Sequence, residues 1–389
     1  MSYFGREVAV VGVGYSEFTR HGEPDPRWLA RTAVSAAAAD AGIPVTAIDG
    51  MFHYKFNDDI SVQQIQSDLG IPDLAVFSDT TVTGPSGLTS ALEAIQAVAS
   101  GACDYALAIR CITRRTGHAG AMGTDDAPVP GIHQYLAPFG WGSSGVLPGF
   151  ALRKRRRMAQ YGTTAEEYGL VALNARKWAK HNERAVLRDE ITMDDYLSAR
   201  VVADPLLVLD CDYPVNGAVA VLFTSKERAE DLRNLPVIVD SFAYSTGKNP
   251  DAGWMFGDDF LHTSATSCAS RLWSRTSLTV DDIDVAQLYD GFTHVTISWV
   301  EALGFCGIGE FTDWVDGGAT IGPGGSLPMN TSGGHLAEGR VHGLQFLAEA
   351  ALQLRGECGV RQVPDAKTAV ITSAFGAQTG AMLVRTEDA

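Results

Sequence analysis

Apolar residues along this chain fall into two alternating rhythms. Short continuous runs alternate with stretches in which apolar positions recur every three or four residues. Residues 8–13 form a valine-rich run that predicts a strand turning at Gly12-Val13-Gly14. Residues 26–42 predict a helix, with Trp28, Ala30, Ala33, Ala37 and Ala41 near one face and Gly42 to end it. A strand over 51–54, a helix over 60–69 stopped by Gly70 and Pro72, and a strand over 74–78 follow. A Gly-Pro-Ser turn then opens a helix carrying Leu88, Leu92, Ile95 and Val98, which stops at Gly101 before a strand over 105–110. Residues 114–150 break the rhythm, with glycines, His118, His133, Trp141 and Pro148 marking loops. The basic run Arg153-Lys154-Arg155-Arg156-Arg157 leads into a helix-rich stretch to about residue 181. Extended segments at 200–202 and 206–209 and a strand over 218–224 close the first half.

The second half restarts at residues 237–239 and repeats the plan. A strand over 285–288 runs into Tyr289-Asp290-Gly291-Phe292, and a helix follows with Val295, Trp299, Ala302 and Leu303 on one face. Residues 327–330 enter the turn Gly333-Gly334. Beyond it, Ala337, Val341, Leu344, Ala348 and Ala351 predict one helix over 335–355 whose first N–H groups are free to face an anion or an oxyanion. With its strand over 369–373, this helix is the counterpart of the helix over 86–100 and the strand over 105–110. Strands alternating with helices imply central sheets clothed by helices.

Composition narrows the class. The chain has 389 residues, 46% hydrophobic and 20% charged, as in a globular protein with room for one large domain or two medium ones. A net charge of −16 argues against unspecific nucleic-acid binding. No apolar run is long enough to predict a membrane span, and the first residues carry no basic-then-apolar leader. The six cysteines are dispersed without a C-x-x-C pair, which suits reduced thiols in the cytoplasm. Gly12-Val13-Gly14 lacks the third glycine of a dinucleotide fingerprint, so no such cofactor is expected.

Several side chains invite chemistry, each beside a plainer reading. Tyr289, at a strand-to-helix junction, is either a half-buried tyrosine with a bonded hydroxyl or a catalytic group. His335, Glu338 and His342 are spaced to share one helical face, a conceivable metal site, but the HExxH ligand pair is absent. Cys306 reads more readily as a small packed group than as a nucleophile. The basic run at 153–157 is either a solvated helix face or a phosphate contact.

Five long, collinear motifs carry a family resemblance. They are LLVLDCDYPVNGAVAVLFTS (206–225), LYDGFT (288–293), LGFCGIGE (303–310), LPMNTSGGHLAEGRVHG (327–343) and LRGECGVRQVP (354–364). Through them the chain resembles the thiolase superfamily, in the lipid-transfer or sterol-carrier-protein-x-like branch that includes aldolases shortening steroid side chains held as CoA thioesters. The resemblance implies a duplicated α/β fold in five layers, αβαβα. It implies one half over 1–225 with a loop domain inserted at about 114–200, a linker at about 226–235, and a second half over 236–389. It also implies a homodimer formed through the first-half sheet and a separate small OB-fold partner bearing a zinc ribbon.

Residue by residue, the family's nucleophilic cysteine falls on Gly84 and its final cysteine near Thr372. The asparagine of N-E-A-F falls on Tyr289 and the histidine of G-H-P on Arg340. Loss of both thiols argues against Claisen condensation, which needs a thiolate carrier. The steroid aldolases keep a tyrosine at the Tyr289 position, have a second tyrosine where this chain has Arg340, and share His342. The resemblance therefore implies retro-aldol cleavage of a β-hydroxyacyl-CoA. Tyr289 is the expected acid/base, Arg340 its neighbouring charge and His342 a donor to the enolate. Gly84, Ser86, Asn330, Gly333, Gly334 and His335 are expected at the substrate, although Ser86 also reads as a helix cap. The family pattern uses no metal. No bound cofactor is expected beyond the coenzyme A of the substrate. A thiolase-type acyltransferase and a non-catalytic lipid or acyl-CoA carrier are the alternatives.

Overall fold

The computed structural model describes residues 6–55, 60–80, 87–113, 147–247, 262–374 and 378–389. Gly84, Ser86, His118, His133 and Trp141 lie outside the described residues.

Strand β1 (Val8–Tyr15) runs straight through Gly12 and Gly14 instead of turning there. The reason is packing. Helix α1 (Pro26–Ala41) lies so close that a Cβ on Gly12 would overlap the carbonyl oxygen of Ala37, and one on Gly14 that of Ala33. β2 (Gly50–Tyr54), helix α2 (Val62–Leu69), β3 (Val76–Thr80), helix α3 (Gly87–Ala99) and β4 (Ala106–Ile112) follow. Ser61 and Gln64 form a capping box that starts α2 two residues later than its apolar pattern suggests. Next come α4 (Leu147–Tyr161), α5 (Ala165–Ala179) and the short α6 (Met193–Leu197). A two-stranded ribbon, β5 (Val201–Ala203) and β6 (Leu206–Leu207), leads to β7 (Gly217–Ser225). The second half holds β8 (Val237–Ser245), α7 (Thr263–Trp273), β9 (Val285–Gln287), α8 (Thr293–Leu303), a single turn α9 (Gly334–Ala337), α10 (Leu344–Leu354), β10 (Thr368–Ser373) and β11 (Thr379–Arg385).

The nine long strands lie in the order β3-β2-β4-β7-β1-β8-β11-β10-β9. The two halves meet where β1 pairs with β8, at Ala9 with Ile238 and Val10 with Val237. Side chains alternate cleanly across this mixed sheet. Val8, Val10, Ala106, Ala108, Val219, Val221, Ile371 and Met382 face a central core with Leu88, Ile95, Phe346 and Leu347 from α3 and α10. Ala9, Val11, Leu107, Ile109, Ala220 and Leu222 face α1. Val370, Ala381 and Leu383 face α7, α8 and α5. The layers are thus αβαβα, with α3 and α10 in the middle, as the family resemblance implied.

α10 is buried on every side, as a helix sandwiched between sheets must be. Leu344, Phe346 and Leu347 on it each contribute about 1.5–3 kcal/mol by leaving water. Its polar residues are bonded. Gln345 accepts from Val341 N–H at 3.2 Å and donates to Gly339 O. Glu349 accepts from Arg361 and, at 2.8 Å, from the Thr331 hydroxyl. The single helix predicted over 335–355 is therefore two. Gly339 (φ +128°), His342 (φ +56°) and Gly343 (φ +94°) break it, and Gln345 clamps the intervening loop. His335, Glu338 and His342 consequently do not share one helical face.

Candidate active site

The site forms where β9 and β10 end, opposite the start of α3. Tyr289, the second residue beyond β9, is half-buried, and its N–H donates to Thr372 Oγ1 at 2.9 Å. Two positions that the family resemblance aligns with catalytic residues therefore meet in space. Asn330 holds this junction from the other side. Its amide accepts from Leu288 N–H at 2.7 Å and donates to Leu288 O at 2.9 Å, so it serves the backbone that carries Tyr289. Gly291 leaves room for the tyrosine ring, which a Cβ there would crowd.

The glycine-rich turn does not present open N–H groups to a ligand. Asp290 occupies that position. It is fully buried, accepts from His335 N–H at 2.8 Å, and lies 3.5 Å from Leu336 N. Gly333 N–H donates to Asn330 O and Gly334 N–H faces the Ser332 hydroxyl. Gly334 is glycine because a Cβ would overlap the Asp290 carboxylate, and Gly333 because one would press into Ala179 of α5. Burial pushes the Asp290 carboxyl up to about 7, against the pull of the N–H groups it accepts from. The group that receives N–H donors at this turn is thus one of the chain's own carboxyl side chains.

His335 sits behind Tyr289, wholly buried. Its ring meets the tyrosine edge to face at 4.9 Å between centroids and tilts over Phe346 at 4.5 Å. Its Nε2 accepts from Gly343 N–H at 3.1 Å, and Nδ1 lies 3.4 Å from Asp290 Oδ1. An accepting Nε2 places the proton of the neutral ring on Nδ1, toward Asp290. Burial holds the ring neutral and lowers its pKa to about 3. His335 therefore links Tyr289 to the loop that bears His342.

His342 adopts a left-handed backbone conformation, and its carbonyl accepts from Gly87 N–H at 2.9 Å. Its Nδ1 faces the guanidinium of Arg110, which reaches it from β4. Arg340 donates to Asp212 Oδ2 at 2.9 Å, and Asp212 N–H in turn donates to Gly291 O at 3.1 Å. The pair brackets the Tyr289–Gly291 turn. The described partner of the Arg340 charge is the Asp212 carboxylate.

The basic run is only partly a solvated face, with Arg155 exposed and Arg156 half-buried. Arg153, Lys154 and Arg157 are buried. Lys154 donates to Asp210 at 2.5 Å, and Asp210 also accepts from Tyr196 at 2.7 Å and from Thr293. Arg157 forks onto Glu301, which His262 also approaches at 2.7 Å. Burial alone would raise the Glu301 carboxyl, but these partners bring it down to about 2. This run pins α4 to the strand–helix junction behind the site. Next to it, His294 is buried with neither ring nitrogen hydrogen-bonded among the described residues. Burial, with Arg153, Lys154 and Arg157 nearby, holds its pKa well below the ordinary range.

Cys306 lies off the site, and burial pushes its thiol up to about 12, leaving no thiolate near neutral pH. Among the described residues no group of three or more His, Cys, Asp and Glu side chains could hold a metal ion. Sequence reasoning missed Arg110, Asp212 and Asp290 as parts of the site. Arg110 did carry a signal, as the one charge inside the apolar run of β4.

Residues 255–384 match the family model described as thiolase C-terminal domain-like. Over its length the chain is 33% identical to the 17-hydroxy-3-oxo-4-pregnene-20-carboxyl-CoA lyase of Mycobacterium tuberculosis, covering 97% of this chain and 99% of the relative. The structure superposes on the Ltp2-ChsH2(DUF35) aldolase with a TM-score of 0.90, at 30% identity and 100% coverage of both chains. It shares its fold with human mitochondrial 3-ketoacyl-CoA thiolase at a TM-score of 0.70 and 15% identity, covering 99% of this chain and 100% of that one.

Proposed function

Because this chain belongs to the thiolase superfamily, in the branch that includes steroid side-chain-cleaving aldolases, we propose that it cleaves a β-hydroxyacyl-CoA by a retro-aldol reaction. The substrate is the CoA thioester of a steroid or similarly bulky lipid with a shortened side chain. The products are a ketone and a short acyl-CoA. The observation that carries this reading is the meeting of Tyr289, Thr372 and the His335–His342 loop at one end of the sheet, with no cysteine among them.

In this reaction Tyr289 takes the proton from the substrate's β-hydroxyl. The carbon–carbon bond then breaks, its electron pair moves to the thioester as an enolate, and the former hydroxyl carbon becomes the ketone. His342 donates to the enolate oxygen, and a proton returned to the α-carbon completes the short acyl-CoA. An ordinary phenol, with a pKa near ~10, is a weak base at neutral pH. A nearby cation favours the phenolate. Arg340 is the candidate for that cation, with its charge partly offset by Asp212. Asn330, Gly333, Gly334 and His335 act by positioning Tyr289 and the His342 loop. No carrier thiol or bound cofactor takes part.

In this reading the halves are 1–225 and 236–389, with the loop domain at about 114–200 covering the active site and helping to hold CoA. A homodimer forms through the first-half sheet. Among the described residues that sheet ends on β3, where Phe77 has 53% of its surface exposed. A separate OB-fold protein with a zinc ribbon completes the substrate site. A cytoplasmic location agrees with six dispersed cysteines that form no disulfide. No helix among the described residues is long and apolar enough to cross a membrane.

The test is mass spectrometry of a β-hydroxyacyl steroid-CoA incubated with the protein, alone and with an OB-fold partner. Wild type yields the ketosteroid with propionyl-CoA or acetyl-CoA, and Tyr289→Phe, folded as judged by circular dichroism, loses at least 10²-fold in rate. Full activity in Tyr289→Phe would remove the tyrosine from the mechanism. Acyl exchange with free CoA would favour an acyltransferase, and binding without products a carrier.

A further inference from the structure

Arg110 is wholly buried in a strand whose other residues are apolar or cysteine. Among the described residues its guanidinium donates to three groups. Nη1 donates to the carbonyls of Tyr54 at 2.8 Å and Cys111 at 3.0 Å. Nε and Nη2 both approach His342 Nδ1, at 3.2 and 3.1 Å. The Tyr54 ring lies under the guanidinium at 4.9 Å and meets the His342 ring edge to face at 5.9 Å.

A guanidinium has donors and no acceptor. A ring nitrogen facing two of its N–H groups must offer a lone pair. His342 Nδ1 is therefore unprotonated, and the neutral ring carries its hydrogen on Nε2. The fixed positive charge beside Nδ1 also opposes a second proton. From this geometry we infer that Arg110 is a positioning residue that locks His342 as a neutral Nε2–H donor and bars it from acting as the general base. The inference deepens the retro-aldol reading and rests on it for the use of that donor, namely the thioester oxygen as it becomes an enolate.

The other described neighbours do not supply a competing charge. They are the Tyr54 ring from β2, the Gly87 N–H from α3, the Ser373 side chain of β10 beside Gly343, and His335 through the Gly343 N–H. The lock also divides the work between the two histidines. His335 carries its proton on Nδ1 and His342 on Nε2, each fixed by the group that faces its other nitrogen.

The test is long-range ¹H–¹⁵N correlation spectroscopy of the full chain labelled with ¹⁵N-histidine, with His342 assigned from its absence in His342→Gln. The expected result is a His342 ring in the neutral Nε2–H tautomer that stays unprotonated down to at least pH 5.5. In Arg110→Gln, which removes the fixed charge, the ring should titrate closer to the ordinary value of about 6.5. In the same variant kcat should fall tenfold or more, with KM changed less than threefold. An Nδ1–H tautomer, or protonation near 6.5 in the wild type, overturns the inference whether or not the variant folds. If the tautomer is as expected and no substrate is cleaved, the retro-aldol reading fails and the lock stands.

Discussion

Tyr289 has its place because several residues serve its backbone and ring rather than a ligand. Asn330 bonds both polar groups of Leu288, Thr372 accepts from the Tyr289 N–H, and His335 supports the ring face. Two buried titratable groups beside it have opposite pH signatures. His335 titrates at about 3 in the native state, against about 6.5 when unfolded. Between those values the unfolded chain binds more protons, so this residue makes stability fall as pH falls from about 6.5. Asp290 is raised from 3.8 to about 7, so the native state keeps a proton the unfolded chain has released. Its contribution falls as pH rises from about 4 to 7. Replacing His335 with Gln should cost about 1–3 kcal/mol at pH 7, from weakened bonding to the Gly343 N–H. In urea denaturation the wild type's advantage over this variant should shrink as pH falls from 6.5 toward 4. An advantage that grows with acidity would mean His335 is charged in the native protein. At this scale the sequence was partly legible. Tyr289 and His342 stand in motifs that mark them as placed groups. Asp290 lies in the same motif, but its role depends on a turn 43 residues further on, at Gly333 and Gly334, which no local pattern ties to it.

Among the elements, α4 shows how a local pattern can point the wrong way. Five consecutive basic residues look like a solvated face, yet three of them are buried, and two of these, Lys154 and Arg157, pair with carboxylates from distant parts of the chain. The partners Asp210 and Glu301 are 56 and 144 residues away, so charge patterning within the helix could not reveal them. Removing one member of such a pair leaves an uncompensated buried charge. Asp210→Ala should therefore destabilise the protein by about 3–5 kcal/mol, seen as a lower urea midpoint, with earlier proteolysis in α4. A loss below ~1 kcal/mol would show that Lys154 finds water or another partner, as exposed pairs do. The split between α9 and α10 was missed for a related reason. Apolar residues at 337, 341, 344 and 348 keep helical spacing across the break, while Gly339 and Gly343 gave the contrary signal. That break turns His342 back toward Arg110.

The whole molecule was the most legible scale. Alternating strands and helices in two successive halves sufficed to predict layered sheets, and the central pair α3 and α10 lies where a duplicated plan places it. The sequence reading did not name α7 or β11, because neither adds a new apolar rhythm to its neighbours. The chemistry proposed for this fold makes a demand that neither thiolysis nor simple carriage makes, because the former hydroxyl carbon must leave as a free ketone with no CoA consumed. The α-carbon of the released acyl-CoA must take up one hydrogen from the medium. The decisive measurement is cleavage of a β-hydroxyacyl steroid-CoA in D₂O with mass analysis of both products. Our account predicts equal amounts of ketone and short acyl-CoA, the latter carrying one deuterium at its α-carbon, with no requirement for free CoA. Cleavage that depends on free CoA and yields no free ketone would contradict it.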